Sequence, residues 1–118
     1  MARDTTNYTQ DRIEKFVDVT IASGQTVSNA VNCLGTVLVG IQTPAALTGT
    51  SLTFQVSDAG VTFFDYYNAA GNQVTVAMSV DKRIGLLPAD FAGIQYIKLV
   101  SSSAEGAERK FTLIFRGM

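Results

Sequence analysis

The side chains that most often carry out catalysis or bind transition metals are scarce in this chain. It has no histidine and a single cysteine, Cys33. A Cys–His nucleophilic pair is therefore excluded, and metals that need nitrogen or sulfur ligands are effectively excluded. Cys33 lies between Asn32 and Leu34 and has no cysteine to pair with. We expect a buried structural thiol, in a protein made in a reducing cytoplasm.

The carboxylates offer little support for acid–base chemistry, which needs titrating groups held together. Three aspartates fall at predicted turns or charged breaks, where Asp has a structural role, and the fourth lies in an aromatic run. They are Asp58, Asp81 and Asp90, and Asp65. Calcium bound by Asp58, Asp65 and backbone carbonyls is conceivable, but EF-hand spacing is absent, as is a glycine-rich phosphate loop. We predict a non-enzyme with no catalytic residue, metal or cofactor.

Composition narrows the possible partners. Charged residues make up 16% of the 118 residues, against about 25% in a typical soluble domain. A weakly charged surface suits a protein docked against partners, although a neutral soluble domain is an equal alternative. The formal net charge is −1 and there is no basic stripe, so we expect no nucleic-acid binding. No apolar run is long enough to span a bilayer, and the polar N-terminus is not a secretory signal, so we expect no membrane association.

Alternating apolar residues predict the elements that must position any functional surface. The period of two, with Gly, Asn or Asp at most reversals, favours a single antiparallel β-sandwich or jelly roll of about seven or eight short strands. Residues 26–35 hold a short strand or an irregular excursion, 81–83 form a charged break, and 88–93 form a compact turn anchored by one aromatic residue. The predicted strands or strand-bearing segments are 15–21, 36–41, the hairpin 51–67, 73–80, 84–87, 94–101 and 109–116.

The first residues differ from the rest of the chain. Residues 1–14 are polar and mostly lack periodicity, which predicts a flexible N-terminal arm, while 15–118 form the sandwich domain. An adaptable arm can wrap a large surface and become ordered only when it binds. Arg3, Tyr8 and Arg12 are the candidate partner-binding residues of this arm.

The central hairpin ends in an aromatic cluster. Alternation places Phe63 and Tyr67 on one face and Phe64 and Tyr66 on the other. Both faces are core, or one is open and serves as a protein interface or as a platform for a sugar ring. For an open face, Phe64 and Tyr66 are the candidate partner-binding residues.

Three longer segments carry a recognisable pattern. They are GIQTPAALTG before the hairpin, LTFQVSDAGVTFFDYY within it, and PADFAGIQYIKLVSS near the C-terminus. In these segments, and over residues 18–116 as a whole, the chain resembles the head decoration, or cement, proteins of tailed bacteriophages. The hairpin and the YIKL strand are also similar to galactose-binding-like and discoidin-type jelly rolls, with Ala59 inserted in the Ser-Asp-Gly turn.

The phage resemblance implies a structural role in the virion. Such a protein is made in the bacterial host cytoplasm, binds the outer surface of the capsid, commonly as a homotrimer, and ties major capsid protein subunits together. Its partners would be the major capsid protein and its own copies. Two alternatives stay open. One is a carbohydrate-binding module or virion adhesin that uses Phe64, Asp65 and Tyr66, and the other is a neck, tail or baseplate component.

Overall fold

The computed structural model describes residues 14–117 and confirms the all-β prediction. Two antiparallel sheets face each other across one apolar core. The elements are β1 Glu14–Ile21, β2 Val31–Asn32, β3 Thr36–Gln42, β4 Ser51–Ser57, β5 Phe64–Asp65, β6 Val76–Ala77, β7 Arg83–Gly85, α1 Pro88–Phe91, β8 Tyr96–Ser101 and β9 Arg109–Gly117. In residues 14–117 no helix has the length and apolar character needed to cross a membrane.

The first sheet has the strand order β1-β9-β3-β7. Its longest ladder joins β1 to β9, from Glu14 opposite Arg116 to Ile21 opposite Arg109. Since side chains alternate along a strand, one side of this sheet faces the core and the other faces outward. A register shift between Leu38 and Gly40 marks a bulge in β3 at Val39.

The second sheet has the order β2-β8-β4-β5, and β6 also pairs with β4. In its central ladder Phe54 lies opposite Leu99, and both side chains are fully buried. This pairing places the alternating apolar residues of the hairpin and of the YIKL segment on the same side of the sheet. The alternation in 51–57 and 96–101 is therefore confirmed, and it supplies Leu52, Phe54, Ile97 and Leu99 to the core.

The short helix α1 supplies the aromatic anchor predicted for residues 88–93. Pro88 stands at its N-terminus, where a missing backbone N–H costs no hydrogen bond. Phe91 is buried and packs edge-on against Phe54, with ring centroids 5.1 Å apart. This contact fixes the connection between the two sheets.

Several element boundaries differ from prediction. β1 begins at Glu14, which the sequence pattern assigned to the arm. The alternating segment 73–80 forms only the two-residue β6, although Val74 and Met78 on either side of it are buried as the alternation predicts. Arg83, predicted to lie in a charged break, is the first residue of β7 and pairs with Gln42.

Candidate interaction surfaces

The aromatic hairpin strand is only two residues long. In β5, Phe64 lies opposite Val56 and Asp65 lies opposite Gln55. The backbone N–H of Tyr66 then donates to the carbonyl of Phe54 at 3.0 Å, which continues the register by one residue. Because paired residues share a face, Phe64 and Tyr66 lie on the core side and Asp65 lies on the outer side.

For Tyr66 the structure favours the core alternative that the sequence left open. Its hydroxyl donates to the carbonyl of Asp90, and its ring centroid lies 6.1 Å from that of Phe91. Burial, and secondarily the negative charge of Asp90, raise the pKa of the Tyr66 phenol. Phe64 lies on the same side of the sheet but at the margin of the core, and 66% of it is exposed. Of the two candidate residues, Tyr66 is therefore half-buried against the core and Phe64 is a surface residue.

The outer side of the same hairpin carries a cation–π pair and two exposed side chains. Lys98 Nζ lies 4.1 Å from the centroid of the Phe63 ring, in a cation–π contact. Asp65 and Tyr67 are both exposed. Since Asp65 and Phe64 lie on opposite sides of the sheet, the trio Phe64, Asp65 and Tyr66 does not form one platform.

Glu105 forms a hydrogen-bonded centre that the sequence did not predict. Its carboxylate is fully buried and accepts hydrogen bonds from the Thr48 N–H (2.8 Å), the Gly49 N–H (2.9 Å), the Ser101 hydroxyl (2.7 Å) and Arg109 Nε (2.9 Å). In the sequence Glu105 lies in a stretch of Ser, Ala, Gly and Glu residues that is typical of a loop, where an acid gives no signal of burial.

The pKa of Glu105 is consistent with its four hydrogen bonds. Burial by itself raises the pKa of its carboxyl, but the hydrogen bonds from Ser101, Thr48, Gly49 and Arg109 together outweigh burial and lower the pKa to about 2. The carboxylate thus stays ionised and has each oxygen engaged by two donors. It joins the loop before β4 to the loop before β9.

Cys33 is the buried thiol that the sequence predicted. Its Sγ lies 3.3 Å from the carbonyl oxygens of both Ile94 and Gln95, to which the S–H can donate. Burial raises the pKa of the thiol, against smaller lowering effects from Lys15 and from a backbone hydrogen bond. The sulfur therefore stays protonated and attaches the segment after β2 to the segment before β8.

The remaining aspartates are dispersed. Asp58 is exposed in the loop after β4, where the Ser57 hydroxyl accepts the N–H groups of Ala59 and Gly60. Asp81 has a φ of 55° and donates its N–H to the Pro44 carbonyl at 2.9 Å. Within the described part of the chain, no three His, Cys, Asp or Glu side chains are grouped so as to hold a metal ion.

The outward side of the first sheet carries a groove that the sequence did not indicate. This open groove has a volume of about 400 Å³ and lies between two arginines. Its lining residues are Val37, Val39, Arg83, Pro88, Arg116 and Gly117. We call it the two-arginine groove. Arg83 and Arg116 are far apart in sequence, and only the order β9-β3-β7 brings their strands to the two sides of β3.

The predicted arm residues Arg3, Tyr8 and Arg12 lie outside the described residues. Of the five candidate partner-binding residues, the structure therefore locates Phe64 and Tyr66, and only Phe64 has an exposed ring.

Comparisons with known proteins bear on the fold. Neither a protein-family model nor a curated protein matches the chain. Among solved structures, the SPBc2 prophage-derived protein YomS is similar with a TM-score of 0.54 at 11% identity, over 89% of this chain and 96% of that one. A Bacillus endospore appendage protein gives 0.46 at 13% identity, over 91% and 88% of the two chains. A chain of the cyanophage Pam1 capsid asymmetric unit gives 0.35 at 10% identity, over 91% and 85%. At 11% identity, the similarity to YomS shows a shared fold and nothing more.

Proposed function

We propose that this protein is a non-enzymatic structural component of a phage virion that binds the outer surface of the capsid and stabilises it. The main supporting observation is the contrast between the buried and the exposed side chains of the protein. The buried reactive groups are engaged inside the fold, while large apolar side chains such as Phe16 and Phe64 are left outside, 58% and 66% exposed. Exposed apolar surface is typical of proteins that dock against a partner.

The chemistry of the interior supports a role without catalysis. Glu105 has its oxygens occupied by hydrogen-bond donors and a low pKa, so it is a poor general acid or base near neutral pH. Cys33 is buried with a raised pKa, which disfavours the nucleophilic thiolate. Both groups hold loops in place.

The fold supports a phage context. The described sandwich is similar over most of its length to YomS, which is named as a prophage-derived protein. This adds to the resemblance of GIQTPAALTG and PADFAGIQYIKLVSS to head decoration proteins. A rigid domain of this kind would stabilise a shell by contacting two capsid subunits at once. Assembly as a homotrimer would multiply a modest affinity for each contact.

Capsid shells that lack the protein provide the test. Purified protein is mixed with these shells, bound protein is measured by co-sedimentation, and the temperature at which the shells release DNA is recorded with and without it. We expect saturable binding and a higher release temperature. Absence of both would refute the proposal.

Further binding experiments separate the alternative functions. Binding to purified tails or necks and not to shells would favour a neck, tail or baseplate role, and labelled electron microscopy of the virion would locate the protein there. Saturable binding on a glycan array would favour the carbohydrate role. That role has less support, since the ring of Tyr66 packs against Phe91 and Asp65 faces away from Phe64.

A further inference from the structure

We infer that the two-arginine groove is the docking site for an extended acidic peptide segment of the capsid protein. This inference rests on the proposed function and names the surface and the partner chemistry through which it would act.

The floor of the groove is apolar sheet surface. Val37 and Val39 of β3 are half-buried and line the groove beside Pro88. The neighbouring row across the sheet is Phe16, Ile114 and Gly40, on the outward side. Ile114 is 0% exposed although it points away from the core that Leu113 and Phe115 fill. Something on this face must therefore cover it.

Arg83 provides part of that cover because position 40 is glycine. A Cβ on Gly40 would lie 2.9 Å from Nε and 3.3 Å from Nη2 of Arg83, and 3.4 Å from Cδ1 of Ile114. The guanidinium group thus lies directly over the backbone of β3. Between residues 14 and 117, no carboxylate oxygen lies within 4.0 Å of it. Its donors are held at the edge of the groove without a carboxylate partner from this part of the chain.

Arg116 stands on the other side of the groove floor, opposite Val37 in the ladder between β9 and β3. Its Nη2 lies 3.0 Å from Oε2 of Glu14, but the two side chains are 44% and 43% exposed. An exposed pair of this kind contributes little to stability, so an incoming carboxylate can replace Glu14 at low cost.

These features together indicate the chemistry of the ligand that the groove would bind. Arginine binds carboxylates through paired hydrogen bonds, and the valine floor between the two arginines suits an apolar side chain. An extended peptide with acidic residues on either side of an apolar one satisfies both. A second groove, lined by Gln42, Thr43, Asp81, Lys82 and Arg83, adjoins the first at Arg83 and offers Lys82 to a longer segment.

A nucleic acid fits the same surface poorly. Asp18 lies on the outward side of the sheet, where its Oδ1 accepts a hydrogen bond from the Thr112 hydroxyl at 2.8 Å, and Glu14 lies on that side too. These acids repel a phosphate backbone, and the whole chain carries a net charge of −1. A peptide with a few carboxylates carries fewer negative charges than a phosphate backbone, so these acids repel it less.

The test uses the full chain and shells that lack it. Arg83→Glu reverses the charge at the groove, while Gly40→Ala keeps every charge but forces the guanidinium to move. We expect both variants to bind shells at least tenfold more weakly, with wild-type binding weakening as salt is raised. Lys98→Glu, on the second sheet, is the matched charge-reversal control and should bind like wild type. Melting temperatures of all variants check that they are folded.

A peptide array identifies the occupant. Overlapping peptides covering the major capsid protein are probed with labelled wild-type protein and with Arg83→Glu. Binding to acidic peptides that Arg83→Glu abolishes supports the inference. Selective binding to basic or uncharged peptides overturns it, as does competition by DNA that matches competition by acidic peptide.

The failures of the two proposals are distinguishable. If wild-type protein does not bind shells, the proposed function fails. If wild type binds, Arg83→Glu and Gly40→Ala bind equally well, and Phe64→Ala loses binding, the capsid role stands and the aromatic margin is the docking surface instead. A change of oligomeric state in Arg83→Glu with unchanged shell binding would show that the groove accepts a second copy of this chain.

Discussion

Gly49 donates its backbone N–H to Oε2 of Glu105 at 2.9 Å, and the side of Gly49 where a Cβ would stand faces the Ser101 hydroxyl. The glycine is needed for space, since its φ is not positive. A Cβ there would collide with Ser101 Oγ and would also lie 3.1 Å from Glu105 Oε2. Two of the donors to the buried carboxylate therefore depend on the absence of one methyl group.

Gly49→Ala should lower the free energy of unfolding by about 1–3 kcal/mol, the usual range for overpacking a filled site. The buried Ser101 and Glu105 side chains have little room to move away. Urea denaturation followed by circular dichroism measures the change. Gly106→Ala is the matched control, because its Cβ would meet only Thr48 Oγ1 at 3.4 Å, and it should cost much less. Equal losses in the two variants would contradict the crowding argument.

Glu105 should make the protein sensitive to acid. Its pKa is lowered from 4.5 to about 2 in the folded state, so the unfolded chain takes up a proton at higher pH than the folded one. The stability from this group is present above about pH 5 and is lost as pH falls from there towards 2. The full loss is on the order of 3 kcal/mol. The measurement is the free energy of unfolding at a series of pH values between 7 and 2.

Glu105→Gln separates this group from the other carboxylates. The variant should be less stable at pH 7 by about 3–5 kcal/mol, because Arg109 and the loop N–H groups lose their buried anion. It should also show a shallower decline in acid than wild type. Glu108→Gln, at an exposed position in the same loop, is the control and should follow the wild-type curve. Parallel curves for wild type and Glu105→Gln would remove Glu105 as the source of acid sensitivity.

The sequence predicted what depends on local pattern. Alternation in segments such as 51–57 and 109–116 predicted strands and their core-facing residues, because burial on one side of a sheet leaves a period of two. It also marked Phe91 as an anchor and Cys33 as buried. These outcomes need no knowledge of which strand pairs with which.

The candidate surfaces could not be predicted, because the alternation of apolar residues does not show which strands pair. Arg83 and Arg116 meet one groove because β7 and β9 are both neighbours of β3, and nothing local to either residue indicates this. For Tyr66 the sequence left a core face and an open face as alternatives, because alternation gives the side of a strand but not how far the core extends along it. The role of Glu105 could not be predicted either, because two of its hydrogen-bond donors, Thr48 and Gly49, lie in a loop that is distant in sequence.

Tyr66 should contribute to stability through its hydroxyl. Tyr66→Phe keeps the ring packed on Phe91 but leaves the Asp90 carbonyl without this donor. We expect a loss of about 1 kcal/mol, the usual net value of one such hydrogen bond. Tyr67→Phe, on an exposed ring, is the control and should be neutral. Thermal unfolding of both variants gives the comparison, and a neutral Tyr66→Phe would mean that water satisfies the Asp90 carbonyl equally well once the hydroxyl is removed.

Cys33 should resist thiol reagents while the protein is folded. Its buried Sγ is held near the carbonyls of Ile94 and Gln95, and burial raises its pKa, so both access and thiolate are limited. With Ellman's reagent at neutral pH, wild type should react orders of magnitude more slowly than in denaturant. Leu34 is exposed one residue later, so the double variant Cys33→Ser with Leu34→Cys moves the single thiol to the surface. That thiol should react at the rate of a small-molecule thiol, and similar slow rates for both proteins would show that burial of Cys33 is not what protects it.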